Sequence, residues 1–249
     1  MPLIKVRAVI LRTQRWGDAD RIVTLYSLEC GKIRGVARGA RRMKSRFGGV
    51  LEPFGLVELT LFQKTPEALG QISHIDLVRP NKAVREDLGA MAAAARMTRM
   101  VEWISADRDP NQDMFVTLVN GLAALTPEAD IGLTTLLFQI HILGQTGFRP
   151  QVNHCTECGK VSESPGVRWF SPRLGGMVCD ACEQRGVGKV LSISKGSVAF
   201  IEQARRLPLE RLSRLKAIGR VRLEVEQAID AYVHTVVGRA LPTVEQWVT

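Results

Sequence analysis

The chain has 249 residues, and 45% of them are apolar, so it can bury real cores and is not a disordered tail. Its formal net charge of +9 lies mostly in residues 1–80, where 14 basic side chains outnumber 7 acidic ones. The first residues lack the apolar run of a signal peptide, and no apolar stretch reaches the roughly 18 residues that a membrane span needs. We therefore expect a cytoplasmic protein with a polyanionic partner that is nucleic acid and not a membrane.

Residues 1–80 show the pattern of short strands broken by turns. Val57, Leu59 and Leu61 alternate with polar residues, and residues 22–28 are rich in β-branched and aromatic side chains. Glycines recur between these runs and mark turns. About five strands in roughly 75 residues favour a small closed barrel over an open sheet with exposed edges.

The apolar period changes to three and four residues after Pro80, which predicts helices. We predict a first helical part over residues 81–150, in which apolar residues recur at helical spacing from Val84 to Ile104, and a second helical part over residues 187–249. Residues 151–186 interrupt these helices with glycine, proline and paired cysteines. The chain is therefore expected to be an α+β protein of several domains.

Four of the five cysteines form two close pairs within residues 151–186. The pattern is C-x2-C, twenty residues, C-x2-C, formed by Cys155, Cys158, Cys179 and Cys182. Two such pairs of thiolates can complete a tetrahedral zinc shell, and four protein ligands leave no open position for catalysis. We predict a structural zinc ion, with buried free thiols or redox-active pairs as the alternatives.

A run of positive charge occupies residues 34–46 and contains no acidic residue. Glycines within and after the run predict a flexible loop between strands. Arginine can grip phosphates through two parallel hydrogen bonds, so the run is a predicted nucleic-acid-binding surface. The alternative is a solvated loop that only keeps the protein soluble. The predicted DNA-binding residues are Arg34, Arg38, Arg41, Arg42, Lys44 and Arg46.

Two aromatic residues, Trp16 and Phe47, flank basic residues of this region. Either ring could stack on an unpaired base, and the alternative for each is packing into or against the barrel. Aromatic residues make up only 6% of the chain, which does not favour a base-reading surface. We therefore expect binding to be mainly electrostatic and largely indifferent to base sequence.

No motif of a known catalytic site stands out in the sequence. None of the three Gly-Lys pairs is followed by the Ser or Thr of a phosphate-binding loop, and the four histidines are scattered. A non-catalytic binding protein is therefore the leading interpretation. An accessory protein of RNA or the ribosome is the first alternative, and an enzyme using a cleft between barrel and helices is the second.

Several stretches are similar to the bacterial RecO family of DNA repair and recombination mediators. They are residues 15–27, Gly31-Lys32, residues 35–42 and residues 51–54, followed by residues 143–150 on the approach to Cys155. The resemblance covers nearly the whole chain in order, and residues 1–80 are its most specific part.

The resemblance implies an N-terminal oligonucleotide-binding (OB-fold) barrel, a helical C-terminal domain and an inserted four-cysteine zinc module. It implies a nucleoid-associated protein that binds single- and double-stranded DNA and anneals complementary strands without covalent catalysis. The implied protein partners are RecR, with which it would help to load RecA, and the C-terminal tail of the single-strand-binding protein that coats the DNA.

Overall fold

The computed structural model describes residues 3–65, 68–161, 168–207 and 215–242. It divides into two compact units, one built mainly from the chain up to Ile131 and the other from Gly132 to Leu241. Among the described residues, the first unit contains the strands of the N-terminal region together with three helices. Within the same described ranges, the second contains four helices, a small sheet and the paired cysteines.

Five strands of the first unit form the closed barrel that the sequence predicts. Their order around the barrel is β1-β2-β3-β5-β4, and all neighbours are antiparallel except β3 and β5. The parallel β3–β5 contact closes the barrel through only two residue pairs. The strands are β1 (Leu3–Trp16), β2 (Asp20–Ser27), β3 (Gly31–Ala37), β4 (Leu56–Phe62) and β5 (Gly70–Arg79).

Alternate residues of these strands point inward and fill the barrel with aliphatic side chains. Along β3, Ile33 and Ala37 are buried while Arg34 on the opposite face is exposed. The largest buried groups contributed by the strands include Ile10, Leu25, Leu59, Leu61 and Ile72. Because the core is wholly apolar and the outer face carries the charges, the barrel provides a rigid support for a charged surface.

Three helices complete the first unit: α1 (Lys82–Glu86), α2 (Leu88–Ile104) and α3 (Gln112–Ala123). The region predicted to be helical from Val84 to Ile104 forms two helices, because the chain breaks at Asp87. The backbone of Asp87 is extended, and its carboxylate accepts a hydrogen bond from the amide of Ala90 at 2.7 Å. An aspartate that caps a helix start in this way ends one helix and begins the next.

The second unit joins four helices to a three-stranded sheet of order β7-β6-β8. Phe170 of this sheet packs edge-on against Tyr232 of the last helix, with ring centroids 6.1 Å apart. Among the described residues, no helix has the length and apolar character required to cross a membrane. The elements are α4 (Ile131–Gln145), β6 (Arg168–Ser171), β7 (Gly176–Val178), α5 (Asp180–Glu183), β8 (Leu191–Ile193), α6 (Lys195–Arg206) and α7 (Gly219–Val237).

Candidate nucleic-acid interface and metal centre

The predicted basic run begins in β3, where residues 34–37 lie, and continues into residues 38–55, which we call the cationic connector because they join β3 to β4. Successive turns are closed by main-chain hydrogen bonds, such as that from the Arg42 amide to the Gly39 carbonyl at 3.1 Å. Phe47 and Leu51 of the connector are buried in the barrel core. Two apolar side chains therefore anchor the connector to the barrel and restrict the conformational freedom that its glycines allow.

The six predicted DNA-binding residues fall into two groups of three. Among the described residues, no partner lies within hydrogen-bond or ion-pair distance of the charged group of Arg38, Arg42 or Lys44. All three are exposed, so their charge is available to an external anion. Each member of the other group makes at least one contact within the protein, and this group is Arg34, Arg41 and Arg46.

The second group of cations holds neighbouring main chain in place. The Arg41 guanidinium donates hydrogen bonds to the carbonyls of Gly17 and Asp18 in the β1–β2 turn, at 3.2 and 3.0 Å. Arg46 donates to the Ile72 carbonyl at 3.3 Å, and its guanidinium lies over the Phe47 ring. These two arginines fix the connector against the barrel as well as adding charge to its surface.

The two aromatic residues differ in their availability. Phe47 is only 1% exposed, so the base-stacking role considered for it is wrong, because its ring fills the barrel core. Trp16 is 55% exposed at the end of β1, and its stacking role stays a prediction. Trp16 pairs with Asp20 across β1 and β2, and the Asp20 carboxylate accepts a hydrogen bond from the Gly39 amide of the connector. The exposed ring and the connector therefore lie at the same end of the barrel.

The outer face of β1, β2 and β3 carries a cleft that the sequence analysis did not identify. It has a volume of about 640 Å³, and all of its lining residues belong to the first unit. Arg12, Lys32 and Arg108 line it together with Arg34. The β-strand alternation of Lys32, Arg34 and Arg38 was available in the sequence, but the approach of Arg108 depends on a contact across 76 positions of the chain.

The link between α2 and α3, residues 105–111, docks against the barrel beside this cleft. The Lys32 ammonium donates hydrogen bonds to the carbonyls of Glu102 and Ser105 at 2.8 and 2.6 Å. The Tyr26 hydroxyl accepts a hydrogen bond from the Asn111 amide at 3.1 Å. Burial raises the pKa of Tyr26 to about 12, so this hydroxyl stays neutral at physiological pH.

In the second unit, the four predicted metal ligands come together in one cluster. The sulfur atoms of Cys155, Cys158, Cys179 and Cys182 all lie within 4.8 Å of one another. The Sγ atoms of Cys158 and Cys179 are 3.7 Å apart. Four sulfurs bound to one tetrahedral zinc at about 2.3 Å lie about 3.8 Å from one another. The cluster therefore has the size and the donor chemistry of a four-thiolate metal site.

The environment of the sulfurs favours a bound cation. Burial opposes ionisation of Cys155, but main-chain N–H groups of Cys179, Cys158 and Glu157 lower the pKa of its thiol to about 6. Burial and hydrogen bonds with the neighbouring thiols raise the pKa of Cys182 to about 12. Sulfurs this close compete for negative charge in the absence of metal, and a bound cation removes this competition by deprotonating all of them.

The two cysteine pairs are held together through β7. Cys179 directly follows this strand, and Cys182 lies in α5. Thr156 lies between the cysteines of the other pair, and its amide donates a hydrogen bond to the Met177 carbonyl of β7 at 2.8 Å. A Cβ atom at Gly176 would collide with the Gln151 carbonyl, so only glycine allows the two segments to approach this closely. The module thus positions all four sulfurs from two separated segments.

Comparison with known proteins identifies the family. The family model described as "Recombination protein O N terminal" matches residues 1–81, and "Recombination protein O C terminal" matches residues 85–245. The chain belongs to the RecO family. The boundary between the two family models lies close to the end of the barrel in the sequence. The boundary between the two compact units of the structure follows Ile131.

Individual relatives agree over most of the chain. The "DNA repair protein RecO" of Symbiobacterium thermophilum is 31% identical over 94% of this chain and 92% of its own length. The protein of the same name from Bacillus subtilis is 30% identical over 92% of this chain and 88% of its own. That from a Nocardioides species is 36% identical over 74% of this chain and 76% of its own. Membership of the RecO family supports a role in DNA repair and recombination.

Proposed function

We propose that this RecO family member is a non-catalytic recombination mediator that binds single- and double-stranded DNA and anneals complementary strands. We propose that it acts in the cytoplasm at the nucleoid, together with RecR, and helps to load RecA onto DNA coated by single-strand-binding protein, whose C-terminal tail it would bind. The partners are carried over from the family resemblance. The DNA-binding part has independent support from the connector.

The observation that carries the proposal is the set of unpaired cations on a fixed support. Arg38, Arg42 and Lys44 are exposed and have no anionic partner among the described residues. Because Phe47 and Leu51 anchor their segment in the barrel, little conformational freedom is lost when phosphates bind. Such contacts go to the phosphate backbone, which explains how one surface would accept both single and double strands.

Annealing follows from the same electrostatics. Two complementary strands repel each other through their phosphates, and a cationic surface that neutralises both lowers this repulsion and raises their local concentration. This step forms and breaks no covalent bond, so it requires no nucleophile and no cofactor.

We propose that the metal at the cysteine cluster is zinc and that its role is structural. Thiolates are soft ligands that select zinc over the hard cations, and four of them close the coordination shell. Cys155, Cys158, Cys179 and Cys182 would hold the ion, which would join the two segments of the module.

The test is the anisotropy of a labelled single strand titrated with protein across a salt series. Reversing Arg38, Arg42 and Lys44 to glutamate removes three phosphate contacts, and the slope of log affinity against log salt should become shallower by about 2. Annealing, measured in the same tube after adding the complementary strand, should slow in parallel. Arg41 and Arg46 are left unchanged because both support the fold.

The matched control reverses Lys5, Arg79 and Lys82, three exposed cations of the same unit outside the connector. This control changes net charge equally and should retain most of the affinity. Equal losses in both variants would mean that the connector has no special role. A matched RNA strand that outcompetes the DNA strand would instead favour an RNA-associated accessory function.

A further inference from the structure

One acidic residue occupies the cationic cleft on the outer face of the barrel. The Asp107 carboxylate lies 3.3 Å from the Lys32 ammonium and 3.5 Å from the Arg34 guanidinium. Asp107 is 62% exposed and Arg34 is 54% exposed, whereas Lys32 is only 12% exposed. An oxyanion between two cations at the mouth of an open cleft has the charge and the contacts that a backbone phosphate would have there.

The rest of the cleft can accommodate a nucleotide. Its volume of about 640 Å³ lies within the range typical of small-molecule pockets. Ile22 and Leu69 contribute apolar surface, and the amide oxygens of Gln14 and Gln63 accept hydrogen bonds from the cleft residues Arg12 and Arg108. An apolar wall with polar groups beside it and cations around it suits a base attached to a phosphate.

The docked segment does not depend on the Asp107 carboxylate for its position. The Arg108 amide donates to the Lys32 carbonyl at 3.0 Å, and the Lys32 ammonium binds two main-chain carbonyls of the same region. Gly31 also lies so close to the Asp109 main chain that a Cβ atom there would collide with it. Loss of the carboxylate should therefore leave residues 105–111 in place.

We propose that the cleft is a binding subsite for one unpaired nucleotide, whose phosphate replaces the Asp107 carboxylate beside Arg34. This inference rests on the proposed DNA-binding function and adds a second contact area to the connector. The two areas are continuous, because Lys32, Arg34 and Arg38 occupy alternate positions on the same face of β3 and its continuation. A base still paired in a duplex is stacked and cannot enter the cleft, so the subsite favours single strands.

Asp107 then acts as an internal competitor that weakens binding. A strand must displace the carboxylate from Arg34 before its phosphate can take that position, which reduces the net gain from the contact. Removing the negative charge should therefore increase affinity. A residue that merely stabilises the fold would have the opposite effect or none when removed, so the direction of the change is diagnostic.

The experiment uses the full chain and measures binding of a short labelled oligothymidine and of a duplex of equal length across a salt series. D107N should bind the single strand about two- to fivefold more tightly, the range that a partly exposed ion pair supports. Its salt slope should stay close to that of the wild type, because the same phosphate contacts Arg34 in both proteins. Duplex affinity should change less.

The matched control is E128Q, which removes one exposed negative charge from the same unit outside the cleft. It changes net charge by the same amount and should leave the affinity of the oligothymidine unchanged. R34Q should weaken single-strand binding, and the gain from D107N should disappear when the two changes are combined, because the phosphate would have lost its partner.

Three results would overturn the inference. They are unchanged or weaker binding by D107N, an equal gain in D107N and E128Q, and a D107N gain that persists without Arg34. The proposed function would survive all three provided that reversal of Arg38, Arg42 and Lys44 still weakened binding and made its salt slope shallower. If the wild-type chain bound no DNA at low salt, the proposed function and the inference would both fail.

Discussion

The cationic connector and the cysteine module of residues 151–186 are both rich in turns, yet they are held in place in different ways. The connector joins two strands of one barrel and sends Phe47 and Leu51 into a core that the strands have already built. The module contains a small apolar cluster of its own. In this cluster, Cys155 and Cys182 pack against only a few valines and other partly buried hydrophobic residues. Burial of apolar side chains therefore holds the connector in place. The cysteine module instead depends on the contacts among its four sulfurs.

The proposed DNA binding and the proposed metal binding therefore depend on different regions of the chain. The connector should keep its cations in place whether or not a metal is present, because none of the four clustered cysteines lies in its unit. The module has too small an apolar core to replace a lost ion, as is usual for small metal-stabilised segments. The three changes below should affect one region and spare the other, and they are ordered by the size of the expected effect.

Removing the metal should produce the largest effect. Cys158→Ser replaces a soft thiolate with a poor ligand, and binding of structural zinc is worth on the order of 10 kcal/mol in small domains. We expect the variant to lose its metal and the second unit to unfold at lower temperature, as measured by elemental analysis and by calorimetry of the full chain. DNA affinity through the connector should be retained.

Cys30→Ser is the control for this change, since Cys30 lies beside the barrel core and outside the sulfur cluster. It should retain the metal in full. A Cys158→Ser protein with unchanged metal content and unchanged unfolding would show that the cluster is not a structural metal site.

Truncation of Phe47 tests the connector and should leave the cysteine module unchanged. Phe47→Ala leaves a cavity in the barrel core and should lower the free energy of unfolding by about 3 kcal/mol, measured by denaturant titration. It should also reduce DNA affinity by loosening the connector, while metal content stays the same. Met43→Ala, at a fully exposed position of the same connector, should leave stability unchanged. Equal effects of the two substitutions would mean that Phe47 is not an anchor.

Acid should act on the second unit through Glu224, which stabilises the start of α6. The Glu224 carboxylate accepts hydrogen bonds from the Ser197 hydroxyl at 2.5 Å and the Ser194 amide at 2.7 Å. Burial alone would raise the pKa of Glu224, but these hydrogen bonds and Arg220 lower it from 4.5 to about 2. Glu224→Gln should therefore cost about 2 kcal/mol at neutral pH, measured by denaturant unfolding.

The sign of the pH dependence follows from the lowered pKa. The unfolded chain takes up the proton first, so the stabilisation is complete above 4.5 and is lost as the pH falls towards 2. The stability difference between wild type and Glu224→Gln should shrink over that interval. Glu226→Gln, which breaks only the partly exposed pair with Arg222, should show a small and nearly constant difference. A Glu224→Gln difference that did not change with pH would contradict this role.

The features predicted correctly from the sequence depend on local patterns. Alternation along β4 and the turn residues between runs were sufficient for a five-stranded closed barrel. The spacing of the cysteines was sufficient for the cluster, because two residues between the thiols in each pair allow both to face one centre. The apolar face of α7, with Val225, Ile229 and Val233 buried, likewise follows from helical spacing alone.

The features that the sequence did not reveal depend on contacts between distant residues. The connector is rich in glycine and charge, which is typical of flexible loops, and its order depends on a core built by other strands. The position of Asp107 beside Lys32 and Arg34 depends on the fold and has no signal in the local sequence. The break between α1 and α2 at Asp87 has no periodic signal either, because the apolar period continues through it and the break depends on a capping hydrogen bond.

The close approach of Gly31 to the Asp109 main chain also restricts how this protein can evolve. Gly31 has a positive φ of 64°, and a Cβ atom there would collide with the Asp109 main chain, so any side chain would require a shift in the segment that contains Asp109. Because Asp107 lies in that segment, a lineage that replaced Gly31 would alter the charge balance of the cleft in the same step. Substitutions at positions 31 and 107 are therefore expected to occur together. Gly31 keeps the Asp107 carboxylate in the cleft without contacting it.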